Sequence, residues 1–268
     1  MNYIVLGHMR SGSSVINESL EMHPDLKVAY EIFNCHATAE LTNIPDIRQT
    51  LKKLYGFESW NKVNSTFGYF PTSGRYDIGT YKTISEDVSL NKMIDFAFER
   101  YDGFKILYNQ LKINYKVWDY LVSCPNLKVI HTYRRNHLDS LVSLYVAHGS
   151  SEWQVRKGGS DIDDESFSIP VGVAEEYFLN SDFEIEHFTS MFKNSIEIEY
   201  EELYDWENTI SRVVDFLGIK SIFLTPKYKK RNKKSPKLLI ENYLELKNYF
   251  RNTKWFKLFL DSEIKVFM

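Results

Sequence analysis

Cysteine is nearly absent: 268 residues carry two, Cys35 and Cys124. They lie far apart, with no His or Cys neighbours at ligand spacing, so no metal site is expected and both read as free thiols. Positive charge is not in excess either. A net charge of −3 is the wrong balance for a general nucleic-acid binder, whose domain is usually strongly basic. No run of 18 apolar residues occurs, which excludes an apparent membrane span. Met1-Asn2 leads at once into an apolar run, which leaves no room for a signal peptide and makes the cytoplasm the expected location. Internal repeats and long polar linkers are also lacking. With 43% hydrophobic residues there is enough for a substantial core, and residues 1–268 read as a single domain.

What is present begins at Tyr3. Tyr3-Ile-Val-Leu6 is a short apolar run rich in β-branched residues that breaks into Gly7-His-Met-Arg-Ser-Gly-Ser-Ser14, a strand entering a tight loop. From Ser14 the apolar positions follow helical spacing until His23-Pro24. A loop of small residues that opens a helix aims unpaired backbone N–H groups and the positive end of the helix dipole at one point, where an anion belongs. Gly7-x-x-x-x-Gly12-Ser13-Ser14 has the nucleotide-binding frame G-x-x-x-x-G-K-[ST], except that Ser13 replaces the lysine. The cation is instead Arg10, inside the loop.

Leu26–Tyr30 reads as a second strand that runs into Glu31-Ile-Phe33. Two strands joined by one helix lie parallel with a right-handed crossover. Gly7–Ser14 and Glu31 therefore fall on the same sheet edge, the edge at which open α/β sheets bind ligands. A second strand, loop and helix occupy Val129–Gly149: the strand ends at Tyr133, Arg134-Arg135 follows, and Asn136 is a good N-cap with Asp139 three residues on. Ser143 lies about two turns into that helix. Phe104–Leu107 is a further strand, with Lys105 in its middle either reaching a ligand or snorkelling at a strand end.

The loop M-R-S-G-S-S resembles the opening of the sulfotransferases that use 3′-phosphoadenosine 5′-phosphosulfate (PAPS). Their bacterial and carbohydrate-directed branches begin with a loop close to P-R-S-G-T-T; Met9 stands here for the proline. The resemblance implies a three-layer α/β fold, a mostly parallel sheet flanked by helices, of the P-loop NTPase-like sulfotransferase type. It also implies that Arg10, Ser11, Gly12, Ser13 and Ser14 bind the phosphosulfate end of PAPS. Glu31, in an E-x-F setting, would be the catalytic base, and Lys105, in Gly103-Phe104-Lys105, would touch the sulfate. One arginine at the second strand end and one serine in its helix would hold the 3′-phosphate. Ser143 is that serine, and the arginine is Arg134 or Arg135, with the Arg-Arg-Asn context favouring Arg134. Tyr200-Glu-Glu-Leu203 and Phe216-Leu-Gly218 also match the family and read as scaffold.

Residues 227–237 hold seven Lys or Arg in eleven positions. Such a block is usually solvated, but it could attract a highly anionic nucleotide, and the resemblance points to Lys230 and Arg231. The aromatic, irregular stretch 56–81 is either an acceptor-binding segment or core padding. Residues 37–55 and 90–100 read as helices, 174–193 as another, and 235–250 as a last one after Ser235-Pro236. No apolar strand ending in a metal-binding Asp is evident beside the first loop, so no metal is expected. The reading is a PAPS-dependent sulfotransferase that acts on a hydroxyl-bearing acceptor: carbohydrate, glycolipid or small metabolite. A P-loop small-molecule kinase and a non-catalytic nucleotide-binding protein are the alternatives. The missing loop lysine counts against the first, and Glu31 beside the loop counts against the second.

Overall fold

The computed structural model describes residues 1–32, 69–72, 75–78, 90–108, 115–149, 165–228 and 234–264. In chain order the elements are β1 (Tyr3–Gly7), α1 (Ser13–Leu20), β2 (Val28–Glu31), β3 (Tyr69–Thr72), β4 (Arg75–Ile78), α2 (Leu90–Phe98), β5 (Gly103–Leu107) and α3 (Tyr115–Ser123). They continue with β6 (Lys128–Tyr133), α4 (His137–Gly149), α5 (Val171–Met191), β7 (Ser195–Glu199), a 3₁₀ turn (Tyr200–Tyr204), α6 (Trp206–Leu217), α7 (Pro236–Leu239), α8 (Tyr243–Tyr249) and α9 (Phe256–Ile264).

Five strands form one sheet in the order β2-β5-β1-β6-β7, and every pairing in it is parallel. All five residues of β1 are buried, because it is the middle strand and both faces are covered. Alternation along it separates the layers. Ile4 and Leu6 join Phe104, Ile106 and Val129 under α2 and α3. Tyr3 and Val5 join Ile130 and Ile198 under Ile16 and Leu20 of α1 and Val213 and Leu217 of α6. This is the expected helix–sheet–helix sandwich. A third apolar cluster, built by α4, α5 and the C-terminal helices α7 to α9, stands beside it.

β1 and β2 are parallel, as one crossover helix requires, with β5 between them and paired to both. Two readings change. The helix expected over 235–250 is two short helices. The chain leaves the helical path at Ile240, which makes a parallel bridge with Phe167. Phe167 N–H donates to Leu239 O at 2.8 Å, and Glu241 N–H donates to Phe167 O at 2.9 Å; these bonds replace continued helical ones. Within the stretch read as irregular, β3 and β4 form an antiparallel pair. Helices α3 and α9 had no counterpart in the sequence reading. The helix expected over 37–55, most of the 56–81 stretch, residues 150–164, and the anion contacts Lys230 and Arg231 lie outside the described residues.

Candidate active site

Strand β1 delivers the chain into the loop at Gly7. A Cβ there would meet Thr132 Oγ1 at 2.2 Å and Thr132 O at 2.5 Å, so only glycine lets β1 and β6 stay paired at their carboxyl ends. Ser11 Oγ then bonds Thr132 Oγ1 at 2.9 Å, which pins the loop to β6. Arg10 has φ 67°, a left-handed conformation that non-glycine residues rarely adopt and that persists only where surroundings enforce it. Gly12 follows at φ 85° as the residue before α1, and Ile16 and Val15 N–H close the first turn onto its carbonyl. The first amides of α1 are thus set around the loop without intrahelical acceptors.

Glu31 ends β2, Lys105 lies in β5 beside it in register, and Val5 of β1 pairs with Lys105 on the other side. The Lys105 ammonium makes an ion pair with Glu31 Oε1 and donates to Ser14 Oγ at 2.6 Å. Its side chain is 7% exposed. Lys105 is therefore not snorkelling at a strand end. It links the carboxylate to the anion loop.

The two arginines separate sharply. Arg135 is 68% exposed and pairs with Glu199. Arg134 is 7% exposed, lies 3.3 Å from Asp139 Oδ2 and stacks over the Tyr200 ring at 4.3 Å. Its buried Nε has no hydrogen-bond partner, a costly state for a charged donor unless something else supplies an acceptor. The expected capping box is half made. Asn136 Oδ1 accepts from Asp139 N at 3.0 Å, but the Asp139 carboxylate turns to Arg134 rather than back to the Asn136 amide, which points to Glu201 instead.

Ser143 is reached by the first loop: Arg10 Nε donates to its hydroxyl at 3.0 Å. Asp139 and Ser143 are four residues apart on α4 and so share a face. Arg134 and Arg10 are thereby anchored about one helical turn apart, roughly 6 Å along the axis. Sequence reasoning placed both cations near an anion but missed that α4 spaces them.

His8 lies edge-on to the rings of Tyr108 and Tyr177, with Nε2 3.7 Å from Glu184. The segment read as scaffold packs against the first loop: a Cβ at Gly12 would fall 2.4 Å from Leu203 Cδ1 and 3.1 Å from the Tyr200 ring. The Y-E-E-L pattern gave no hint that its tyrosine would support an arginine. Around α1, burial raises the Glu18 carboxyl, against the lowering effect of its bond from Tyr228. Burial also raises the Tyr30 hydroxyl, which donates to Glu21. Among the described residues no group of three His, Cys, Asp or Glu is arranged to hold a metal ion. No helix among them is long and apolar enough to cross a membrane.

With this geometry in hand, comparison with known proteins is informative. A family model described as "Sulfotransferase family" matches residues 3–222. The chain is 25% identical over 265 residues to "Nodulation protein H" from Rhizobium meliloti, covering 96% of this chain and 94% of that protein. A second "Nodulation protein H", from Rhizobium meliloti strain 1021, is 28% identical over 202 residues, with 68% and 82% covered. Among solved structures, the "Sulfotransferase Domain from the Curacin Biosynthetic Pathway" aligns over 99% of this chain and 96% of its own at 16% identity and a TM-score of 0.49.

Proposed function

The chain belongs to the sulfotransferase family, and from that premise we propose that it moves a sulfuryl group from PAPS to a hydroxyl of a carbohydrate, glycolipid or small metabolite. The observation that carries this reading is the run Glu31–Lys105–Ser14, which joins a carboxylate on β2 through β5 to the first turn of α1 at the anion loop. The acceptor hydroxyl attacks sulfur and gives its proton to Glu31 as the new O–S bond forms. The S–O bond to the 5′-phosphate breaks, and the electron pair goes to the phosphate oxygen. Arg10, the Gly12–Ser14 amides and the Ser13 and Ser14 hydroxyls are the donors for that oxygen; the Ser11 amide closes the loop onto His8 O. Lys105 serves the sulfuryl oxygens between the two.

The donor choice is supported by the second cation. PAPS presents a 5′-phosphosulfate and a 3′-phosphate, two anionic groups on one ribose. The residues suit that pair: Arg10 in the first loop for the phosphosulfate, and Arg134, with a buried N–H lacking an acceptor, together with Ser143 of α4 for the 3′-phosphate; Arg10 also donates to Ser143, which brings the two groups of residues together. Arg135, turned outward onto Glu199, is left a peripheral role. A transfer assay with radiolabelled PAPS against a panel of hydroxyl acceptors, with and without chelator, tests the reaction. Thermal shifts test the donor: PAPS or its desulfated product, adenosine 3′,5′-bisphosphate, should raise Tm well above any effect of ATP, since ligands stabilise the state they bind. Equal shifts with ATP favour a kinase.

A further inference from the structure

The proposed donor site contains one apparent contradiction: a carboxylate, Asp139, sits against the arginine assigned to a phosphate. Its other contacts account for it. Asp139 Oδ1 accepts a hydrogen bond from Ser262 Oγ at 3.0 Å, while Oδ2 faces Arg134 at 3.3 Å. Ser262 lies in α9, 123 residues further along, and is 1% exposed. Asn136, the cap of α4, donates through Nδ2 to Leu258 O and to Ser262 Oγ, both at 3.0 Å, and accepts the Asp139 N–H through Oδ1. Asn136 and Asp139 are themselves buried. The first turn of α4 is thus bolted to α9 by buried hydrogen bonds among Asn136, Asp139, Leu258 and Ser262, and Arg134 joins them through its ion pair with Asp139.

We infer that α9 is a positioning element for nucleotide binding, with Ser262 orienting Asp139 and Asp139 holding the Arg134 guanidinium so that one N–H is spent on the carboxylate and Nε is left for the ligand. This rests on the proposed 3′-phosphate role of Arg134. The chemistry favours this division of labour. An arginine has five N–H donors in a rigid plane, so one side can be fixed while another binds. Fixing it in advance spares the ordering cost that a mobile side chain would incur on binding. The Ser262 hydroxyl has one proton, shared between Leu258 O at 2.8 Å and Asp139 Oδ1 at 3.0 Å; its share to Oδ1 helps satisfy an oxygen that would otherwise draw further on the guanidinium and compete with a phosphate. Tyr200 closes the open face of the plane at 4.3 Å, which removes the remaining tilt.

Ser262 touches no proposed substrate atom, so its effect must pass through Arg134, and the test is built on that. Calorimetry on the full chain would compare adenosine 3′,5′-bisphosphate with adenosine 5′-monophosphate for the wild type, Ser262→Ala, Arg134→Ala and the double variant, with Tm checking that each is folded. Ser262→Ala should bind the bisphosphate about three- to tenfold more weakly, the scale of one hydrogen bond, and the monophosphate within about twofold of wild type. In the Arg134→Ala background, Ser262→Ala should cause no further loss, because the residue through which it acts is gone. In turnover, KM for PAPS should rise while kcat holds. Equal losses for both nucleotides, or losses that add in the double variant, would mean a merely structural serine and would overturn the inference. Wild-type protein that does not distinguish the two nucleotides sinks the donor reading and this inference together. Wild-type discrimination left intact by Ser262→Ala sinks this inference alone. Should Ser262→Ala not fold, Asp139→Asn keeps the shape and removes the charge; undiminished selectivity for the bisphosphate in that variant is equally fatal.

Discussion

Glu31 and Arg134 are the two side chains on which the chemistry turns, and each makes a sharp prediction. Glu31→Gln keeps the shape and one acceptor oxygen but cannot take the acceptor's proton. Turnover in the PAPS transfer assay should fall by about 10²- to 10⁴-fold, the scale of a general base, while PAPS affinity changes little. Near-normal turnover would remove Glu31 as the base and move attention to His8, which faces Glu184. For the donor, Arg134→Ala should weaken PAPS binding by about 10- to 150-fold, the equivalent of a charged hydrogen bond. Arg135→Ala should do far less, because its guanidinium is exposed and already committed to Glu199. Calorimetry showing the reverse order would exchange their roles without touching the family assignment.

Among the elements, the loop between β1 and α1 is the most demanding. Gly12 sits at φ 85° with Leu203 against it. Gly12→Ala therefore carries two costs: roughly 1–2 kcal/mol for a side chain in the left-handed region, and the clash with Leu203. Leu203→Ala should relieve the second and not the first. Chemical denaturation of the single and double variants should show partial rescue; complete rescue would mean that the backbone conformation is not what requires glycine here.

How far these elements were legible follows from their reach. Strand, loop and helix at residues 3–20 and 128–149 are local patterns, and their breaks at Gly7 and Tyr133 announce themselves. Lys105 could be seen to be odd, but not to stand between Glu31 and Ser14, because that depends on β5 inserting between β1 and β2, which no local pattern encodes. Asp139 was visible as a helix-start residue; its carboxylate's turn toward Arg134 was not. Ser262 carries no signal at all, since a serine in a helix far downstream looks the same whether it caps nothing or holds a site together. The break at Ile240 was hidden because apolar spacing continues across it while the hydrogen bonds go to Phe167.

At the scale of the whole molecule, buried titratable groups decide how stability responds to acid. His131, on β6, has its imidazole pushed down to about 4 by burial, and it contacts Tyr108 and Thr189. In the unfolded chain it would titrate near the usual ~6.5. Between these values the unfolded state binds a proton that the folded state refuses, so stability present above about pH 6.5 is lost as pH falls toward 4, by at most about 1.4 kcal/mol per pH unit from this group. Glu18, whose carboxyl is raised by burial, opposes this and softens the slope. His131→Gln should flatten the fall in Tm between pH 7 and 5; an unchanged slope would assign the acid sensitivity elsewhere.

The order β2-β5-β1-β6-β7 also has a consequence in time. β1 is the central strand and is made first, yet its neighbours are β5 and β6, whose residues emerge about a hundred positions later. At roughly 5–20 residues per second, the ribosome leaves this most apolar strand, and the glycine loop attached to it, without sheet partners for several seconds. Until Tyr133 is synthesised the nascent chain can form α1 but cannot close the edge on which the site sits. Nascent chains arrested before β6 should therefore be bound by hydrophobic-strand chaperones and cut by protease at β1, and those arrested after β7 should not.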